Sequence, residues 1–533
     1  MIKISNLHVP LSVADTSLNE LAAKKLKVPI SDIKEVKYLK KSIDARKKNA
    51  IQFVLTLAVA LKNEKIILKR FSNNKDISEY KPFSYKIPSV VSSYSTRPVI
   101  VGFGPAGMFA GLFLAKAGLK PIILERGASV VERKKAVDIF RKTGKLDTES
   151  NIQFGEGGAG TFSDGKLNTG INDPRIQYVL ETFVKHGAPE DIMYMAKPHI
   201  GTDYLVDVVQ NIRRTIEEAG GEVKFGARFS GYETDKDNAL RSVLYVHKNI
   251  TYSISTNKCI LASGHSARDV FRMLKNNNVS LTAKNFAMGL RIEHLQKDLD
   301  VCMYGKYADN DALKVADYKL AVHLSNGHSL YTFCMCPGGE VVASASENNR
   351  LVVNGMSFHA RNGINSNSAL LVGISPDMLD NSDPLAGMIL QENVEQKAFL
   401  SGGGDFKAPV NLVGDFIENR VSTSFGKVKP TYTPGVKFAS PNEYLPDFMV
   451  ETLRMGIPEM GRKLKLFNDP EAVLIGVESR SSSPVRIIRN ELYQSVSVSG
   501  LYPCGEGAGY AGGITSAAVD GLRCAEALVK TLK

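Results

Sequence analysis

The sequence predicts a mixed α/β protein. Its centre is a Rossmann-like domain that is discontinuous in the chain, carrying an inserted strand-rich α+β domain and a small N-terminal α/β module. Three observations predict this. Residues 97–127 read as strand, glycine loop, apolar helix and second strand, with Gly102, Gly104 and Gly107 in the loop. The last 35 residues return to a strand–turn–helix pattern with too little chain for a second complete unit. The stretch between them, from about 280 to 470, is rich in strands and loops. The expected division is 1–90 for the N-terminal module, 97–279 and 475–533 for the Rossmann-like domain, and 280–474 for the insert.

Within the N-terminal module, residues 2–4 read as a strand, and 18–26 as a helix with Leu18, Leu21, Ala22 and Leu26 on one face. Residues 33–39 alternate like a strand, and 51–59 form a stronger one. The polar stretch 72–95, with Pro82 and Pro88, reads as a linker. The next unit has a buried strand at 99–101, a helix at 105–117 stopped by Gly118, and a strand at 121–124. A glycine-rich loop at 155–165 precedes helices at 177–186 and 202–219. Strands are expected at 223–229, 242–247 and 251–255. No internal repeat is visible.

The 533 residues are 43% hydrophobic and 23% charged, an ordinary globular balance. No apolar run reaches the roughly 18 residues that suggest a membrane span, and the N-terminus lacks a signal-peptide pattern. Six scattered cysteines form no disulfide framework, so a reducing cytoplasm is the expected compartment. No Cys/His cluster has metal-ligand spacing, so no metal is expected. The net charge of +12 is uneven: residues 1–96 hold 18 Lys+Arg against 8 Asp+Glu. Such a module suits an acidic partner, whether RNA, a membrane surface or an acidic protein; the alternative is a solvated basic face.

The pattern G-x-G-x-x-G occurs three times. The first, Gly102/Gly104/Gly107, has the full context. Gly102 permits the tight turn, Gly104 lets backbone approach a pyrophosphate, and Gly107 lets helix pack on strand. Pro105 and Ala106 open a helix whose free N–H groups face the phosphates. Glu125, 21 residues beyond Gly104, can accept from ribose hydroxyls and disfavours a 2′-phosphate, so FAD or NAD is expected rather than NADP. Arg126 adjoins it. The second match lacks strand and helix. Its Gly157, Gly158, Gly160, Thr161, Ser163 and Lys166 either wrap the dinucleotide from the other side or form a surface loop. The third match is read as the flavin end of the same site. There Gly505 and Gly512 join the cofactor residues, Glu506 is expected to reach the ribityl hydroxyls, and backbone N–H groups near Gly513 and Ile514 to face the pyrimidine ring. Phe229, at the end of the 223–229 strand, joins the cofactor residues.

The first motif with Glu125-Arg126-Gly127, then Leu261-Ala262-Ser263-Gly264, then Gly505-Glu506-Gly507, resembles the FAD-binding series of the glutathione reductase-like flavoprotein superfamily. Ser263 replaces the usual Thr and Glu506 the usual Asp, and both keep the polar function. A closer resemblance is to the family of NAD(FAD)-utilising, FAD-dependent dehydrogenases. It is carried by Ser42–Lys48, Phe154–Leu167, Gly264–Asp269, Phe333–Gly339 and Glu478–Arg486, nearly the whole chain. The segment order also resembles flavoproteins whose FAD domain is interrupted by an insert. The resemblance implies dehydrogenase activity without supplying a substrate, and FAD is expected to be non-covalent because no attachment motif is identifiable. NAD(P)H, lacking a Rossmann unit of its own, is expected at most as a transient donor.

Candidate reacting groups are His265, able to titrate near neutral pH, and Arg480 with Arg486, flanking three serines in a combination suited to an anion. Each has a structural alternative. Cys334 and Cys336 are either a thiol pair working with flavin or small buried apolar residues. The expected function is therefore an FAD-dependent oxidoreductase of unknown small-molecule substrate. The rivals are an RNA-associated flavoprotein, motivated by Lys40-Lys41 and Arg46-Lys47-Lys48, and a non-catalytic FAD scaffold.

Overall fold

The computed structural model describes residues 1–13, 17–90, 96–380 and 382–532. Its central sheet is made of five three-residue strands, all parallel. Their order is Leu501–Pro503, Cys259–Leu261, Val99–Val101, Ile122–Leu124 and Glu222–Lys224. Four of the five are buried at every residue, which explains their unbroken apolar runs: a parallel sheet covered on both faces needs no alternation. The helix Pro105–Lys116 is likewise buried from Ala106 to Ala115. Beside it lies Thr202–Glu218, which turns Leu205, Val208, Val209, Ile212 and Ile216 inward at helical spacing. The C-terminal helix Ile514–Lys530 completes this core.

The sequence expected one strand at 223–229. The chain instead breaks at Gly226, whose φ is +63°, into Glu222–Lys224 of the parallel sheet and Arg228–Thr234. The latter starts an antiparallel sheet with Leu240–His247 and Ile250–Ser255. The helices that escaped sequence reading include Glu64–Arg70, Val130–Thr143, Arg268–Asn276, Ala386–Ser401 and Asp447–Lys463. Of these, Val130–Thr143 buries Val130, Arg133, Val137 and Phe140, so an arginine occupies one of the positions where an apolar residue would have revealed the stripe.

The insert joins through a short antiparallel stem, Leu281–Ala283 with Val485–Ile487. Its sheet has seven strands: Ala321–His323, Ser329–Cys336, Asn365–Ile374, Phe286–Leu295, Val473–Glu478, Ala408–Leu412 and Val436–Phe438. The chain enters on Phe286–Leu295 and leaves on the adjacent strand Val473–Glu478. The expected boundary between 474 and 475 therefore cuts a strand. Hydrogen bonding along that strand holds it to the insert.

The N-terminal module is an antiparallel sheet ordered Ile33–Asp44, Gln52–Leu61, Ile2–Pro10 and Ile77–Glu79. The expected linker at 72–95 is thus partly structured: Ile77 pairs with Ile4 at the sheet edge, while residues 91–95 lie outside the described residues. The apolar side of this sheet, with Ile2, Phe53 and Leu57, belongs to one continuous cluster with Met288, Leu290 and Leu370 of the insert. Among the described residues, no helix is long and apolar enough to cross a membrane.

Candidate functional site

The site begins at the turn after Val99–Val101. Gly102 has φ +95°, and a Cβ there would lie 2.3 Å from the Ala262 carbonyl oxygen. A Cβ on Gly107 would lie 1.9 Å from the Gly102 carbonyl oxygen and 3.3 Å from the Ile100 side chain. Helix Pro105–Lys116 therefore starts flush against its strand, as the sequence pattern requires. No side chain caps its first turn, nor that of Ile514–Lys530. These two helices cross closely, because a Cβ on Gly521 would meet the Ala106 carbonyl oxygen at 2.1 Å. Both N-termini consequently open on the same cavity, of about 1010 Å³.

That volume lies at the upper end of ordinary ligand sites, as a dinucleotide requires. Gly264, Gly512 and Gly513 have nothing within 4 Å of where a Cβ would be. Bare backbone from two distant segments thus faces open space, a cradle for a bulky ligand. The two helix N-termini supply N–H donors and positive dipole ends for a pyrophosphate. The Lys166 ammonium nitrogen is buried on this wall without a hydrogen-bond partner. Its nearest carboxylate, Asp164 at 3.8 Å, is already held by the Arg361 guanidinium at 3.0 and 2.5 Å. An anionic ligand would satisfy that ammonium, so these residues fit FAD.

Glu125 is buried on the cavity wall and accepts three backbone N–H bonds, from Phe103 at 2.8 Å, Gly127 at 2.9 Å and Gly155 at 2.8 Å. These bonds join the first and second glycine loops through one carboxylate, which still has acceptor capacity for a ribose. Arg126 packs over the Phe154 ring at 4.3 Å and pairs with Asp269 at 2.6 Å. Gly104, Pro105, Ala106, Gly158, Gly160 and Ser163 also line the cavity. So do Phe229, Ser263, Glu506 and Ile514.

Several expected contacts are displaced. Gly157, Thr161 and Gly505 stand behind the wall. A Cβ on Gly157 would strike Thr161, whose hydroxyl is turned back onto the Glu156 carbonyl oxygen, and a Cβ on Gly505 would strike Ala106. They shape the loops and leave ligand contact to their neighbours. Arg480 reaches the wall, but its guanidinium is spent on Glu395 at 2.9 Å, Glu347 at 2.9 Å and Ser346 at 2.5 Å. Arg486 is off the wall, over the Tyr510 ring and bonded to the Gly509 carbonyl at 3.3 Å. The Arg480 guanidinium is thus committed to fixed acceptors, as a buried charge requires, whereas Arg486 keeps a partnerless Nε but stands off the cavity wall.

His265 lines the cavity, yet burial and the Arg480 charge lower its pKa to about 4, so it does not titrate near neutral pH as expected. Its single proton sits on Nε2, which donates to the Arg480 carbonyl oxygen at 3.0 Å. Bare Nδ1 faces Glu506 at 3.5 Å. Burial raises the Glu506 pKa to about 7, partly offset by Lys284. The two therefore face each other as a neutral imidazole and a carboxyl that changes charge near neutrality.

Sequence reading missed the groups that hold the second loop. Arg133 is fully buried and donates to the carbonyls of Asn151 at 2.8 Å, Ile152 at 2.8 Å and Glu156 at 2.7 Å. The Glu156 carboxylate accepts from Val130 N–H at 2.7 Å, capping that helix, and pairs with Arg213 at 2.7 Å. Of the far wall contributed by the insert it singled out Cys334 but not Lys284, Tyr318 or Glu478, which also face the cavity. These lie far apart in sequence, and only strand pairing assembles them.

Among the described residues, Cys504, Asp520 and Cys524 bring ligand atoms within 4.8 Å of one another. Asp520 is already bound to Arg489 at 2.7 and 2.9 Å, and burial pushes the Cys504 thiol up. The group is an ion-paired core cluster. Of the basic N-terminal residues, Arg46 pairs with Asp44 at 2.6 Å and Lys48 donates to the Cys302 carbonyl at 2.6 Å. The Lys41 ammonium lies 4.4 Å from the Phe53 ring centre.

Comparison with known proteins matches residues 95–266 to the family described as FAD binding domain. Residues 285–481 match FAD-dependent protein, C-terminal domain-like, and residues 1–60 a domain of unknown function. A Clostridium beijerinckii (strain ATCC 51743 / NCIMB 8052) protein, described as uncharacterized, is 48% identical over 532 residues, 99% of this chain and 98% of its own. Similar solved structures include flavin-dependent brominase Bmp2, with TM-score 0.36 and 13% identity over 82% of this chain and 80% of that one. A flavoprotein/dehydrogenase from Cytophaga hutchinsonii has TM-score 0.36 and 13% identity over 82% and 78%. A geranylgeranyl bacteriochlorophyll reductase-like protein from Thermoplasma acidophilum has TM-score 0.35 and 14% identity over 82% and 79%.

Proposed function

Because the chain belongs to the same family of FAD-dependent proteins as its Clostridium beijerinckii relative, and FAD is its cofactor, we propose that this FAD-dependent oxidoreductase acts as a dehydrogenase on a small molecule held between the flavin and the inserted sheet. One observation carries the reading. The cavity that opens on both helix N-termini is closed by Tyr318, Cys334 and Glu478 of the insert, so cofactor and substrate walls belong to one space. Membership in the glutathione reductase-like superfamily is part of the same proposal and rests on the three glycine segments and Glu125.

Bound FAD supplies the electron-pair transfer, and the protein supplies position and charge. The N-terminus of Pro105–Lys116 and Lys166 hold the pyrophosphate, and Glu125 takes the ribose. The N-terminus of Ile514–Lys530 and Glu506 take the flavin end. His265 keeps Glu506 in place while that carboxyl holds or loses its proton. The insert excludes water. NAD(P)H has no unit of its own among the described residues: either it docks transiently over the flavin as the donor, or the substrate is itself the reductant.

The test is an anaerobic stopped-flow record of flavin absorbance with purified, FAD-loaded protein against NADH, NADPH and a panel of small alcohols, acids and amines. Rapid bleaching by one class, saturating with its concentration, is the expected result. A flavin that none of them reduces would favour a scaffold role and overturn the dehydrogenase reading.

A further inference from the structure

Strand Ser329–Cys336 does not run regularly to its end. Its register on Asn365–Ile374 proceeds to Phe333 opposite Ala369 and then slips before Cys336 opposite Asn367, so the insert's sheet carries a bulge at Cys334 and Met335. Cys334 adopts φ +40°, a region that non-glycine residues rarely occupy. The result is a layered pair. Cys334 forms part of the cavity wall, and Cys336 lies directly behind it, wholly buried. The Cys336 thiol donates to the Cys334 carbonyl oxygen at 3.3 Å.

Cations surround this pair. Arg291, fully buried, donates to the Cys334 carbonyl oxygen at 2.6 Å and lies 3.5 Å from the Cys336 Sγ. The charge of Lys166, whose ammonium lacks a hydrogen-bond partner, acts on the Cys334 sulfur. Neighbouring Cys336, Lys166 and Arg291 hold the Cys334 thiol below its usual range against the opposing effects of burial and Asp164. Glu478 and Glu506 are the other acids whose charge the sulfur feels. The Cys504–Cys524 neighbourhood is the contrast: Cys504 and Cys524 are wholly buried, and the Cys504 thiol is pushed up.

We propose that Cys334 and Cys336 are a second two-electron centre in the wall of the FAD cavity, cycling between a thiolate–thiol pair and a disulfide, with a low-molecular-weight thiol or disulfide exchanging at Cys334. The inference rests on FAD occupying the cavity. Oxidation forms one S–S bond; the pair gives up two electrons and the Cys336 proton, all accepted by oxidised FAD. In exchange with an external disulfide, the Cys334 thiolate attacks one sulfur and releases the first thiolate. Cys336 then loses its proton, attacks Cys334 and releases the second.

Two measurements on the FAD-loaded full chain test this. In anaerobic native buffer at pH about 6, where an ordinary thiol of pKa about 8.5 is almost wholly protonated, the protein, its cysteine pair first reduced by a small dithiol that is then removed, is mixed with an aromatic disulfide reagent. Wild type is expected to release two equivalents of aromatic thiolate quickly and retain no label. Cys336→Ser releases one and keeps the label; Cys334→Ser releases none on that timescale. Anaerobic dithionite titration of the oxidised protein is then expected to take four electrons per FAD, falling to two in either variant and staying at four in Cys524→Ala. Two electrons in wild type, or a fast release unaffected by Cys334→Ser, would overturn the proposal. A protein that binds no FAD would instead sink the functional reading, while the release experiment would still decide the fate of the pair.

Discussion

Glu395 offers the sharpest test of how the insert is fastened to the Rossmann-like core. It sits on helix Ala386–Ser401, wholly buried, and its two oxygens take five hydrogen bonds. Two come from Arg268 at 2.8 and 2.7 Å, two from Arg480 at 3.1 and 2.9 Å, and one from Ser479 at 2.6 Å. The two guanidiniums hold its carboxyl well below the usual carboxylate range, against the effect of burial. Glu395→Gln keeps the volume and removes the charge, leaving two buried cations with only Glu347 and Glu392 nearby. Breaking a buried pair in this way costs about 3–5 kcal/mol. For a cooperative unit the size of the insert that lowers Tm by roughly 6–20 °C. Differential scanning calorimetry at fixed FAD concentration measures it, with Arg272→Gln as comparison. Arg272 also pairs with a glutamate, at 2.6 Å, but is 46% exposed, so its loss is worth about 1 kcal/mol or less. The pH dependence has a definite sign. A depressed folded pKa stabilises fully above the unfolded value of about 4.3 and is lost as pH falls toward the folded one. The gap between wild type and Glu395→Gln should therefore be constant from pH 8 to about 5 and narrow below. A Tm shift no larger than that of Arg272→Gln would refute the reasoning.

Three further outcomes are expected. Gly107→Ala places a methyl 1.9 Å from the Gly102 carbonyl oxygen, and the overpacking cost of about 1–3 kcal/mol should weaken FAD affinity roughly five- to a hundredfold, read by fluorescence titration of the apoprotein. Arg133→Met leaves three buried carbonyls without their donors, at about 1–3 kcal/mol each. Limited proteolysis should then cut near 150–162 while wild type resists, and a resistant variant would contradict the assigned role. The flavin spectrum should titrate with a midpoint near the raised Glu506 value of about 7, and the transition should vanish in Glu506→Gln. Because the folded pKa is the higher one, Glu506 should cost stability as pH rises from about 4.3 to 7, with no further loss above.

The basic N-terminal module remains a proposed site for an acidic partner. Salt-dependent RNA retention by the full chain, lost when Lys40 and Lys47 are both changed to Ala, would support it; unchanged retention would count against it.

Much of the fold was legible because its signals are local. Val99–Val101, the glycines at 102, 104 and 107 and the apolar helix after them follow from turn sterics and burial within about 30 residues of chain. Glu125 was readable for the same reason. Helix Val130–Thr143 was not, since its inward face carries Arg133, a residue whose burial makes sense only once the carbonyls of 151, 152 and 156 converge on it. Arg480 and Arg486 misled for a related reason. Sequence shows a charge, while only packing shows that Glu395 lies within reach of Arg480 and Tyr510 within reach of Arg486. The bulge at Cys334 has no local sequence signal either, because register is set jointly by strands some thirty residues apart. By itself, then, the sequence determined a dinucleotide-binding turn and the order of its segments, which depend on short-range sterics. The tertiary structure decided which charges are spent, which thiol meets the cavity and which walls close it, because those depend on neighbours brought together across hundreds of residues.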